Sequence, residues 1–377
     1  MKIPITRPLF DEREAQGVAA VLESGWVSQG ARVEEFEAVF ARYVGARHAV
    51  ATSSCTSALH MALVAIGIGE GDEVLVPAFT FVATANAVEY CRARPVFVDI
   101  DLDTFNLDPA DLEARITPRT RAIIPVHLFG LAASMTAVLE LAQRHGLRVI
   151  EDAACAVGTL YRGRHVGAFG AAGCFSFHPR KVITTGEGGM LVTDDASLAD
   201  RARSLRNHAA AVSDLERHAA NGTRLPSFRE IGFNYRMTDL QAAIGLAQMD
   251  KLDGILGRRR DLAACYDAAL QPLGWLGVPR TPPGDRHSFQ SYVALVSSDA
   301  PVDRDQLAAA LEAQGIATRQ GTHAVHALDC YRSRYGLRPE DFPNAWEADR
   351  RSLALPLYPQ MTRDEQSAVV QAFQACA

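Results

Sequence analysis

A lysine, a pair of adjacent acids and a cluster of small hydroxyls are the residues of this 377-residue chain whose types and spacing could do chemistry. TSSCTSALHMAL (52–63) gathers hydroxyl side chains where a helix is predicted to open, after a short strand from His48 to Ala51. A helix start offers unpaired backbone N–H groups and the positive end of the helix dipole, which suits a phosphate. Taken alone, the segment reads more simply as ordinary N-capping by Ser53 or Ser54. In VIEDAA, Glu151 and Asp152 end a strongly apolar strand; a carboxylate there can meet a bound cofactor, or serve as a cap or surface pair. In FSFHPRKVITTGEGGM (175–190), Lys181 stands between a strand and a glycine-rich loop, so its amine can reach back over the strand ends. Taken alone it would pass for one more solvated surface charge. GFNYRMTDLQAAIG (232–245) is a polar turn before a helix starting near Thr238 or Asp239, and capping alone accounts for it.

Together the four segments say more than each does singly. Hydroxyls that cradle a phosphate, a strand-end carboxylate and a lysine further along are what a pyridoxal-phosphate (PLP) enzyme requires. The lysine amine forms an imine with the cofactor aldehyde, and the carboxylate keeps the ring nitrogen protonated, so that the ring becomes an electron sink. An aromatic side chain should lie flat on the ring. Phe81 in PAFTFVATAN is the candidate, with a core position as its other reading. Other motifs are missing: there is no G-x-x-x-x-G-K-[ST] loop, no H-E-x-x-H and no G-x-S-x-G elbow. GIGEG (67–71) precedes a strand instead of opening a helix, and reads as a turn.

The elements that must position these residues follow from periodicity. After a helical opening from Asp11 to Val44, EVLVP (73–77), PVFVDI (95–100), AIIPVHL (122–128) and RVIEDAA (148–154) alternate with helix-like stretches. Near-continuous apolar strands joined by helices predict an α/β fold with a mostly parallel sheet covered on both faces, and ligands at the carboxyl ends of its strands. GCFSF (173–177) and GMLVTD (189–194) read as further strands of that sheet. The rhythm changes near Met249, where KLDGILGRRRDLAACYDAAL reads as a long helix, followed by a Pro/Gly-rich connector, a strand at QSYVALV, a helix capped by Asp303 or Asp305, and a last helix at DEQSAVVQAFQ. The expected division is a large domain over 1–248 and a small α+β domain over 249–377.

Composition bounds the partners. With 44 acidic against 38 basic residues the net charge is -6, which argues against nucleic acid, and 48% hydrophobic residues describe an ordinary globular protein. No run of eighteen apolar residues predicts a membrane span, and MKIPITRPLFDERE lacks the apolar core of a secretory signal, so the expected location is the cytoplasm. The seven cysteines are dispersed without a C-x-x-C pair, which predicts neither a metal site nor a disulfide framework, and mostly buried, reduced thiols.

TSSCTSALHMAL, GIGEGDEVLVPAFTFVATANAV, PVFVDID, AIIPVHLFG, VIEDAACAVG, FSFHPRK, TTGEGGM and NYRMTDLQAAIGLAQMDKLD resemble, in this order, the sugar aminotransferases of the DegT/StrS type. The resemblance runs from about Pro4 into the last helix. It implies the fold-type I architecture of PLP-dependent transferases and a homodimer with active sites at the interface. It also implies transfer of an amino group from L-glutamate to a keto group of a nucleotide-diphosphate sugar, with pyridoxamine 5'-phosphate as the intermediate cofactor form. By motif, Lys181 matches the lysine that binds the cofactor and Asp152 the partner of the ring nitrogen. Phe81 matches the aromatic ring on the cofactor, and Thr56, Ser57 and Ser176 the phosphate contacts. Asn234 matches a residue that reaches the phosphate in the neighbouring subunit, and Arg236 is a further candidate there. The freed Lys181 amine would carry the substrate proton, a task suited to a lysine whose pKa is lowered by a dry site.

Two residues depart from the family pattern. Cys155 stands where Gln or His usually touches the cofactor's phenolic oxygen, and a thiol is a weaker hydrogen-bonding group. Val182 replaces a common Asn. For the sugar nucleotide, SGWVSQG (24–30) and THAVH (322–326) are the candidate contributors, with His323, His326 and His178 as possible contacts, or as histidines satisfied within their loops. A 4-keto sugar is favoured over a 3-keto one, as the direct product of the dehydratases that precede such enzymes. Lys181 argues against a ketosugar dehydratase, whose relatives carry His there. A keto-cyclitol substrate and a non-catalytic binding protein on the same fold stay as alternatives.

Overall fold

The computed structural model describes residues 2–210, 227–228 and 230–376. The apolar runs form β1 (His48–Thr52), β2 (Glu73–Pro77), β3 (Arg94–Val98), β4 (Thr120–Ile123), β5 (Arg148–Asp152), β6 (Ala172–Ser176) and β7 (Gly189–Thr193). They build one seven-stranded sheet in the order β1-β7-β6-β5-β4-β2-β3. β2 to β6 are mutually parallel, whereas β7 lies antiparallel between β1 and β6. The sequence reading takes residues 189–194 as one more strand of a mostly parallel sheet. The strand is reversed because the 177–188 connection holds no helix to carry a parallel crossover. That reversal places the Lys181 loop on the edge of the sheet where β5 and β6 end.

Helices α1 (Glu12–Ser24), α2 (Ala31–Val44), α3 (Cys55–Ala65), α4 (Ala83–Tyr90), α5 (Pro109–Ala114), α6 (Met135–His145) and α7 (Ala196–Arg206) cover the sheet. α3 is buried on all sides from Ser57 to Leu63, as an all-round apolar helix should be. Gly67 and Gly71, at φ +88° and +91°, make the expected turn before β2. Beneath β6 and β7, Phe36, Phe40, Phe175 and Phe177 interlock with ring centroids 5.0–6.1 Å apart. Burying each such side chain contributes about 1.5–3 kcal/mol.

The two helical stretches expected around Thr238 and from Lys251 are one helix, α8 (Asp239–Leu270), opened by a capping box between Thr238 and Gln241. Beyond it lies a small antiparallel sheet of β8 (Leu276–Gly277), β9 (Tyr292–Val296), β10 (Arg319–Gln320) and β11 (Ser352–Leu355), ordered β8-β9-β11-β10. With it come α9 (Arg304–Ala313), α10 (Asp329–Tyr335), α11 (Pro343–Arg351) and α12 (Arg363–Gln374). Asp303, not Asp305, caps α9. The division expected at 248/249 falls inside α8, and Ile3 joins the core of the small sheet through backbone bonds with Gly315 and Ala317. All seven cysteines are free, but only Cys55, Cys91 and Cys174 are buried, while Cys265 and Cys330 are exposed. Among the described residues no helix is long and apolar enough to cross a membrane.

Candidate active site

The carboxyl end of β5 carries two buried carboxylates with different surroundings. Glu151 accepts from His127 Nε2 at 3.0 Å and from the N–H groups of Gly167, Phe169 and Gly170 at 2.6–2.7 Å. Burial raises its pKa, but the His127 contact and these backbone bonds outweigh it and hold the group below the usual range. Asp152, only 4% exposed, accepts from Thr84 Oγ1 at 2.8 Å and from the Ala154 N–H at 3.1 Å. There burial prevails over Thr84, Ala154 and the Lys181 charge, and pushes the carboxyl up. A buried anion with acceptor positions to spare suits an added cationic N–H.

Lys181 sits in the loop after β6, its N–H donating to the His178 carbonyl at 2.8 Å. Its amine donates to Cys155 Sγ at 3.1 Å. Burial does pull its pKa down, but Cys155, Cys55 and Asp152 outweigh it and leave the group raised, against the lowering expected from sequence. Lys181, Asp152, Cys155 and Cys55 therefore form one electrostatic cluster at the strand ends. Cys155, a departure from the family pattern, faces the lysine directly.

Cys55 opens α3, which connects this cluster to the hydroxyls. Ser54, not Ser53, is the N-cap, accepting from the Ser57 N–H. Ser57 Oγ lies 3.0 Å from Ser53 Oγ and 2.9 Å from Ser54 Oγ. Ser176 ends β6 and pairs in register with Gly189. A Cβ at Gly189 would collide with the Ser54 carbonyl carbon and the Cys55 nitrogen, so glycine there lets α3 descend onto the sheet edge. Thr56 and Ser57 thus stand on the first turn of α3 above the strand ends, at the positive end of its dipole. A phosphate fits hydroxyls and free N–H groups so arranged, and the carboxylate–lysine cluster below fits a cationic ring bearing an aldehyde.

The remaining candidates divide. Phe81 is 61% exposed, so its core reading is overturned; it follows Phe79–Thr80, and Thr80 Oγ1 contacts Thr84 Oγ1 at 3.1 Å. His323 is exposed and pairs in register with Thr80, beside Phe81. His178 is half-buried, and its Nδ1 accepts from the Arg180 N–H at 3.2 Å. His326 does not belong with them. It is fully buried against Phe97 and Phe342, with Nε2 3.0 Å from the Pro339 carbonyl. As a substrate contact it is corrected to a core histidine. Asn234 is exposed, and Arg236 donates to Asn207 Oδ1 at 2.6 Å. Their turn is fixed to α3 by Tyr235, whose hydroxyl lies 2.9 Å from His60 Nδ1 and whose carbonyl accepts from Ser53.

Several residues escape the sequence reading. Thr84 and His127 hold the two carboxylates, and neither carries a local signal. Asp239 reads as a cap of its own helix, yet its carboxylate accepts from the N–H groups of Gly30, Arg32 and Val33 at 2.8–3.2 Å. It caps α2 and straps the 24–30 segment to the start of α8. One available signal is compositional: the chain has three lysines, Lys2, Lys181 and Lys251, among 38 basic residues. Lys251 is engaged by Asp11 and Glu14, which leaves Lys181 as the lysine at the strand ends.

Strand order and helix cover are those of a fold-type I PLP-dependent transferase. Residues 8–374 match the DegT/DnrJ/EryC1/StrS aminotransferase family, and the chain belongs to that family. It is an enzyme, a PLP-dependent sugar aminotransferase, which sets aside a non-catalytic role on this fold. It is 44% identical over 372 residues to the spore coat polysaccharide biosynthesis protein SpsC of Bacillus subtilis (strain 168), covering 98% of this chain and 96% of SpsC. DesV of S. venezuelae, solved in complex with a ketimine intermediate, superposes with a TM-score of 0.90 at 36% identity, covering 99% of this chain and 98% of that one. DesI, solved in the presence of its TDP-sugar product, gives a TM-score of 0.90 at 33% identity, covering 100% and 93%.

Proposed function

We propose that this enzyme transfers the amino group of L-glutamate to the C4 keto group of a nucleotide-linked deoxysugar, handling the two substrates in turn at one site. The observation that supports the reading is that the half-buried Lys181 amine, held at Cys155, and the buried Asp152 carboxylate share one electrostatic cluster next to the hydroxyls that open α3. The TDP-sugar product in whose presence DesI was solved and the role of SpsC in spore coat polysaccharide biosynthesis support a nucleotide sugar as acceptor. PLP, when bound, supplies an electron sink that makes a proton on the amine-bearing carbon acidic. With PLP bound, Asp152 would accept from the ring nitrogen, Lys181 would hold the aldehyde end, and Thr56, Ser57 and Ser176 would hold the phosphate. Phe81 would shield the ring from water. The Lys181 amine takes and returns the substrate proton. In a homodimer the exposed Asn234, with Arg236 beside it, would reach the phosphate held by the neighbouring subunit, while His323 and His178 would serve the sugar nucleotide.

The test is incubation with glutamate and a panel of 3-keto and 4-keto nucleotide sugars and a keto-cyclitol, with both products read by mass spectrometry. The expected result is an aminated 4-keto substrate and an equal amount of 2-oxoglutarate. Amination of a keto-cyclitol with no activity on any nucleotide sugar would overturn the substrate assignment.

A further inference from the structure

The side chain against Lys181 is a thiol. Cys155 Sγ, 3.1 Å away, is the hydrogen-bond partner of the amine among the described residues. Both groups are fixed from behind. The Ala153–Ala156 turn and the Ser288 hydroxyl, which donates to the Cys155 carbonyl at 3.4 Å, hold the cysteine. The Gln290 side-chain amide donates to the Arg180 carbonyl at 2.8 Å and steadies the lysine loop.

We propose that Cys155 is the positioning residue for Lys181: its sulfur accepts the hydrogen bond that holds the amine over the strand ends. The inference rests on Lys181 being the amine the enzyme uses.

The other groups that face Lys181 are less suited to the task. Asp152, from the end of β5, makes no hydrogen bond to the amine among the described residues and accepts instead from Thr84 and Ala154. Cys55, from the first turn of α3, is buried, and burial pushes its thiol well above the ordinary range. His178, from the lysine's own loop, accepts the Arg180 N–H through Nδ1. Cys155 alone meets the amine at hydrogen-bonding distance.

The test uses the whole protein without added cofactor. Acetic anhydride labelling against pH reads Lys181, readily resolved because the chain has three lysines. Cys155→Ala should move the Lys181 midpoint to lower pH, since burial then acts with less opposition, and Cys155→Ser should fall between it and the parent. A merely structural role for Cys155 would not grade the midpoint in this way. Should Cys155→Ala fail to fold, Cys155→Ser carries the test. A Lys181 midpoint unmoved in both variants would overturn the inference. In that event, borohydride-fixed PLP on Lys181 of the Cys155→Ser protein would leave the proposed function standing, whereas no PLP on Lys181 of the parent would remove that too.

Discussion

Glu151 and Asp152 are neighbours on β5, equally deep, and the fold treats them in opposite ways. Glu151 receives four hydrogen bonds, one from His127 and three from the backbone around Gly167–Gly170. The Ala133 N–H donates to His127 Nδ1 at 3.1 Å, so Nε2 is the protonated nitrogen that faces Glu151. Asp152 receives two bonds and is left with its carboxyl pushed up. Alternation along a strand sends the two to opposite faces of the sheet. A buried acid whose acceptor positions are filled holds a loop in place; one left partly unfilled has capacity for a cation that has yet to arrive.

The largest effect expected from this contrast is on stability. Glu151→Ala orphans a buried histidine and three N–H groups, and should cost about 3–5 kcal/mol in urea unfolding. An Ala variant as stable as the parent would break the comparison. Next comes the core histidine: His326→Ala should cost about 2 kcal/mol and leave the KM for the nucleotide sugar unchanged, through the lost Phe97 and Phe342 packing and the Pro339 contact. His323→Ala should do the reverse, raising that KM while stability stays within about 0.5 kcal/mol. Asp152→Asn should change the cofactor-free protein by no more than about 1 kcal/mol, yet weaken PLP binding, read by titration, by about tenfold or more.

The smallest expected effect is in the acid limb of stability. The folded pKa of Glu151 is depressed, so its contribution is present above the unfolded carboxyl value of about 4.3 and is lost as pH falls through the lower folded value. Asp152 is raised, so it costs stability above its folded value, and that cost fades on acidification. Unfolding measured from pH 6 to pH 3 should therefore show a shallower acid loss in Glu151→Gln and a steeper one in Asp152→Asn.

Much of this arrangement can be read from sequence where the signal is local. Apolar runs mark the strands, and Asp152 and Lys181 stand where those runs stop. Hydroxyls before an apolar helical stretch mark the start of α3. The rest depends on partners far along the chain. Asp239 resembles a self-capping residue until the fold brings Gly30 and Val33 to it. His323 and His326 look alike three residues apart, and only the packing of Phe97 and Phe342 buries the second. Strand β7 reads like its neighbours in composition; its direction is set by a connection without a helix. The opposite fates of Glu151 and Asp152 follow from Thr84, His127 and the 167–170 backbone, none of which has a pattern of its own.

The most direct measurement is chemical. The protein is loaded with PLP, reduced with borohydride and digested, and the peptides containing Lys2, Lys181 and Lys251 are weighed. The cofactor mass is expected on the Lys181 peptide, and much less of it in Asp152→Asn at the same PLP concentration. Cofactor on either other lysine, or on none, would contradict the account.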